Sequence, residues 1–189
     1  MAMGLGFLGR ESRARSTRVG LLHVLAAGAG GALVGAALGW SGDIAGISGD
    51  GRLWLVGIVA LAALAIAVRR RPMNLGRPCQ VPQRWTKTMP AARLYVTWGL
   101  MLGSGVATLI PYSAHLVLLA AQFVAGPAFG AISGAIYGVV REGAALSGIG
   151  GRLRPQPAMD ALERWATAAR RVNIAAVLLG GAALIAASL

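Results

Sequence analysis

The chain has one cysteine, six acidic residues against eighteen basic ones, and only 6% aromatics among its 189 residues. The single thiol, Cys79, excludes an internal disulfide and any two-cysteine redox relay within the chain. It falls in the most basic loop, on the side expected to face the cytoplasm, where thiols stay reduced. The carboxylates are too few and too scattered for a carboxylate-based hydrolase. Also missing are a phosphate-cradling Gly-x-x-x-x-Gly-Lys sequence, two histidines at ligand spacing, a Cys-x-x-Cys and an acidic pair within the apolar runs. No cofactor, metal or catalytic residue is therefore expected, and an enzymatic role would have to rest on a partner chain. The basic residues sit beside apolar runs and are not interleaved with aromatics, so no nucleic-acid partner is expected either.

What the chain does have is apolar length. With 56% hydrophobic and 13% charged residues it lacks the polar side chains to clothe a soluble globule of this size. Seventeen of the eighteen basic residues fall in 10–18, 69–93 and 152–171 or at Arg141, and basic flanks of apolar runs are retained in the cytoplasm. The expected fold class is all-α: one polytopic membrane helix bundle, 1–189, with its basic face on an anionic inner leaflet. The expected location is a bacterial plasma membrane.

Five spans are expected. The first, 19–40, is too long for a signal-peptide core and has no clear cleavage site, so it reads as a permanent span. A Gly-rich outer loop with Asp43 and Asp50 leads to the second, 53–68, which stops at Arg69, Arg70 and Arg71. Four prolines in 69–93 exclude one continuous helix there. The forty-seven uncharged residues of 94–140 have basic flanks on both sides, which requires an even number of crossings. Two fit: 94–124, over-long and broken at Pro111, and 127–147. An amphipathic interfacial helix over 157–171 then precedes a last span, 172–189. The N-terminus is expected inside and the C-terminus outside.

Three features are candidates for function. Gly126, Gly130, Gly134 and Gly138 are four residues apart, as are Ala27, Gly31, Gly35 and Gly39. Such stripes give a helix a flat face for close backbone approach, either for packing or for motion between spans. The second feature is the polar cluster at the break: Thr108, Pro111, Tyr112, Ser113 and His115. Proline there frees the carbonyl of Ala107, and a discontinuous helix is how several transporters build a solute site. The third feature is Arg141 beside Glu142. Neighbours on a helix point about 100° apart, so the two are expected to reach the inner interface, pair with other spans or form a cytoplasmic gate, without facing one another. His23 is expected at the inner interface. Arg69, Arg70, Arg71, Arg84 and Trp85 of the basic loop are candidates for docking a cytoplasmic partner.

The run from Gly99 to Ser113 broken at proline, the small-residue helix Gly126 to Val140, and Arg170-Arg171 followed by a span with Gly180-Gly181 resemble one three-helix repeat of the DsbD/CcdA-like cytochrome c biogenesis and LysE-type exporter superfamily. The likeness covers about half of the chain. Thiol-transferring members carry a cysteine beside the helix-breaking proline, whereas Leu109-Ile110-Pro111 has none. That departure argues against transmembrane electron transfer. The leading expectation is an inner-membrane transporter or permease with its site near Thr108, Pro111, Tyr112, Ser113 and His115, acting as a homo-oligomer joined through the glycine faces or with a membrane or cytoplasmic partner. The alternative is a non-transporting scaffold that docks its partner through 69–93. A reporter fused after Leu189 is expected to register the outer side; activity of a cytoplasmic reporter there would reverse the assigned topology.

Overall fold

A computed structural model describes residues 13–69, 83–105, 112–150 and 155–187. Outside their turns these are helical, with no strand among them: α1 (Arg13–Ala45), α2 (Asp50–Val68), α3 (Gln83–Thr88), α4 (Ala91–Gly103), α5 (Ala114–Val124), α6 (Pro127–Gly150) and α7 (Pro155–Ala187). Two of them are long and apolar enough to cross a membrane, over residues 17–45 and Asp50–Val68.

Local chemistry sets the boundaries. α1 contains no proline and runs until Gly46, whose φ of 63° is a left-handed turn that ends a helix without a Cβ penalty. Gly49 (φ 53°) re-enters before α2, and Arg52 Nε closes the loop by donating to the Ile47 carbonyl at 2.8 Å. Pro90, extended at ψ 141°, separates the single-turn α3 from α4, as the prolines of that loop require. Gly126 at φ 86° turns α5 back into α6, which begins with Pro127 at the position where a missing N–H costs nothing. The first member of the α6 stripe is thus a turn residue. Residues 155–187 form one helix, so the amphipathic segment and the last expected span are continuous; no proline interrupts them after Pro157.

The over-long run is broken, as its length demands. α4 ends at Gly103, Ser104 Oγ donates to the Met101 carbonyl at 2.7 Å, Gly105 adopts φ 69°, and α5 begins at Ala114. Pro111 and Thr108 lie outside the described residues. Arg70 and Arg71 do as well.

Packing is organised by α1. Gly31 faces Gly134, Gly35 faces Gly130 and Gly39 faces Gly126 so closely that a methyl on either member of the first two pairs would fall on the other's carbonyl oxygen. A methyl on Gly138 would meet the Ala27 carbonyl in the same way. Each step up α1 is one step down α6, so the two run antiparallel in a fixed register. α4 lies on a second face of α1, with Gly99 against the His23 carbonyl and Gly103 against Ala27, and therefore runs parallel to it. α5 continues in the direction of α4, bringing Phe123 to Gly42. Behind α5, α2 and α7 pack antiparallel: Arg170 reaches the Val68 carbonyl and Gly181 approaches Ala60. Ala63, Val117 and Val177 form the small apolar core where α2, α5 and α7 meet.

The surface is apolar and the interior partly polar. Leu21, Leu25, Leu33, Trp54, Leu61, Ile132 and Leu179 are exposed, while His23, Ser113, His115, Gln122, Glu142 and Asn173 are buried. Gly35→Ala is expected to lower stability by about 1–3 kcal/mol by forcing α1 off α6. Gly57→Ala, where a Cβ meets nothing within 4 Å, should raise it by about 0.5–1 kcal/mol. Equilibrium unfolding in detergent, followed by tryptophan fluorescence, checks both.

Candidate functional site

The two small-residue stripes continue one step beyond their last small residues. Four residues before Ala27 is His23, four after Gly138 is Glu142, and the register that pairs Ala27 with Gly138 pairs these two as well. His23 Nε2 lies 3.0 Å from Glu142 Oε2, with the residues 4% and 3% exposed. His23 is therefore enclosed by protein on all sides. The Gly99 face of α4 admits the backbone of α1 there, and Tyr95 and Trp98 enclose the imidazole edge-on at 5.9 and 6.0 Å between ring centroids.

The geometry fixes a proton count. His23 Nδ1 is 3.0 Å from the Tyr95 carbonyl oxygen, which can only accept, so Nδ1 carries a proton. Between Nε2 and Oε2 there must be a second proton, on the imidazole or on the carboxyl group, because two lone pairs at 3.0 Å repel.

From Glu142 the polar contacts continue toward the break. Arg141 Nε lies 3.7 Å from Glu142 Oε1, so the adjacent side chains do meet: both turn inward and their long stems close the angle between them. Arg141 Nη1 donates to the Leu102 carbonyl at 3.0 Å, near the end of α4, and to the Tyr137 hydroxyl at 3.3 Å. A carbonyl near a helix end needs such a donor where water is scarce. The Tyr137 ring in turn packs against His115, with ring centroids 4.7 Å apart and planes tilted by 39°. His115 is buried against Gly105, and its Nδ1 has no hydrogen-bond partner among the described residues. A contiguous set of polar groups thus joins α1, α4, α6 and α5.

A cleft of about 460 Å³ opens between α5 and α6 beside this set, lined by Leu118, Ser133, Ile136, Tyr137, Val140 and Arg141. Its walls are apolar, with a guanidinium and a phenol on one side.

Of the residues the sequence placed at the broken helix, His115 and Ser113 are inside and Tyr112 is 45% exposed. Ser113 does not face the cleft. It accepts from Asn173 Nδ2 at 3.1 Å, while Asn173 Oδ1 accepts from the Ala114 N–H at 2.9 Å. α7 therefore caps the start of α5 from another part of the chain, satisfying a donor that α5 has no carbonyl to meet. Gln122 similarly donates to Ser133 at 3.2 Å and holds α5 to α6. In the basic loop Arg69 and Arg84 are exposed and Trp85 is half-buried.

Asn173, Tyr95, Tyr137 and Gln122 were not among the sequence candidates. Asn173 is the one polar residue between Arg171 and Ser188, which is a usable signal; the others had none. Compared with protein-family models, curated proteins and solved structures, the chain matches none of them.

Removing one partner from the buried pair should be costly. Glu142→Ala is expected to lose about 3–5 kcal/mol. Asn173→Ala, which orphans the Ala114 N–H, should lose about 1–3 kcal/mol. Tyr112→Ala, at an exposed position, should stay within about 0.5 kcal/mol of the parent protein. The same unfolding measurement ranks the three, and a Tyr112→Ala loss as large as that of Asn173→Ala would contradict the capping assignment.

Proposed function

We propose that the chain is an integral membrane permease of five passes whose solute route runs between α5 and α6, past Tyr137, Arg141 and His115. The observation that carries this reading is the contiguous polar set inside a bundle whose outside is apolar. A charged group buried in such surroundings is expensive, and where it is kept it marks a pathway more often than a scaffold.

Other features support the reading. The passes alternate in direction, α1 with α4, α5 and α7 against α2 and α6, which is what a chain weaving through a bilayer requires. That alternation brings Arg18, Arg69, Arg84, Lys87, Arg170 and Arg171 toward one end, the arrangement expected of a cytoplasmic face. α4 and α5 form a broken pass with a buried half-helix start, as in transporters that build their sites from discontinuous helices. An apolar cleft with one cation and one phenol suits a small amphipathic solute with an anionic or hydrogen-bond-accepting group.

The test has two parts. In a Cys79→Ser background, a membrane-impermeant maleimide should label Ser48→Cys from the outside and Thr88→Cys only from the inside. Solutes that raise the melting temperature of the purified protein should enter liposomes containing it, and Arg141→Leu or His115→Leu should slow that entry by about tenfold or more, the equivalent of one lost hydrogen bond. Labelling of both cysteines from one side, or undiminished entry in both variants at normal expression, would reject the permease.

A further inference from the structure

The contact between His23 and Glu142 exists only when a proton lies in it. The two ring contacts together need two protons, so withdrawing one leaves a lone pair facing an oxygen at 3.0 Å, either Nε2 against the carboxylate or Nδ1 against the Tyr95 carbonyl. The ring cannot turn to present its other nitrogen without giving up the Tyr95 carbonyl and displacing Tyr95 and Trp98. One of the two contacts must then open, and opening the one to Glu142 releases α1 from α6 at this point. The pair sits at one end of the α1 and α6 seam; beyond it toward the other end, the glycine pairs hold the helices through backbone contacts that carry no proton.

We propose that His23 and Glu142 form a proton-binding site that latches α1 to α6, and that the proton it releases is the ion coupled to solute movement. This use of the site rests on the permease reading; its existence does not. On release, the proton leaves Nε2 or Oε2 for water, no bond between heavy atoms changes, and no electron moves. The groups facing the site are Tyr95 and Trp98 of α4, Arg141 and Tyr137 of α6, and, behind Tyr137, His115 of α5. Arg141 Nε lies 3.7 Å from Oε1, the carboxylate oxygen that His23 does not use. Arg141 also links the latch to the cleft, since the same side chain touches Glu142, holds the Leu102 carbonyl and lines the solute route.

Glutamine separates the proton from the hydrogen bond. Its amide NH₂ donates to a neutral imidazole, so Glu142→Gln keeps the latch closed without the proton. With spin labels on the exposed positions Leu21→Cys and Val140→Cys in the Cys79→Ser background, the interspin distance should be short near pH 5 and lengthen by roughly 2 Å or more near pH 9. In Glu142→Gln it should stay short throughout. The chain has two histidines, so in ring-labelled protein the His115→Gln variant leaves His23 as the only signal, and it should lose one proton over the same range.

A distance that ignores pH in the parent protein, or one that responds equally in Glu142→Gln, would overturn the latch. Coupling is read separately: solute entry should move the internal pH of liposomes in the parent and not in Glu142→Gln. Solute entry with no pH change in the parent would overturn coupling. A pH-sensitive latch in a protein that moves no solute would reject the permease and leave the proton site standing.

Discussion

The close backbone contact between α1 and α6 is the constraint from which the remaining structure follows. Three glycine pairs and the Ala27 to Gly138 contact bring the two helices together at a distance no larger side chain permits. Glycine within a helix costs about 0.5–1 kcal/mol relative to alanine, and Cα–H to carbonyl contacts return about the same amount each. The seam therefore comes out near balance on these counts, and its advantage lies in dispersion and in what it positions. Because the register is fixed along four steps, the fifth step brings a histidine and a glutamate together away from solvent.

The polar interior depends on that approach in a second way. With α1 held against α6 on one face and α4 on another, the bundle offers its buried donors few partners except one another. The bonds found there join segments distant in sequence: His23 to Tyr95, Arg141 to Leu102, Asn173 to Ala114. The first two add a side-chain donor to a carbonyl of α4, and the third satisfies an N–H at the start of α5 for which the helix provides no carbonyl. The exterior, lined with leucine, isoleucine and tryptophan, makes no such demands.

Much of the fold was legible. The small-residue stripes and an interruption of the uncharged run were assigned from composition and spacing; the structure brings the stripes into contact and ends α4 at Gly103, and Pro90, between α3 and α4, is the one basic-loop proline among the described residues. The candidate site was legible only at its centre. His115 and Ser113 were named, whereas Tyr112 faces outward and Ser113 serves a cap. His23 was placed at the inner interface from its position near the end of the first apolar run, and its contact with Glu142 was not foreseen. The signal for that contact was in the sequence: the intervals of four that define both stripes reach His23 and Glu142 when extended.

The sequence by itself determined the helical class, the places where helices stop and the faces on which they pack, because propensity, proline, positive-φ glycine and periodicity act over a few residues. It also determined which residues the stripes share. Only the tertiary structure decided which stripe meets which, in what direction and with what offset, because that choice is made by steric fit between segments about a hundred residues apart. The pairing of His23 with Glu142, the inward turn of Arg141 and the capping of α5 by Asn173 all follow from that fit.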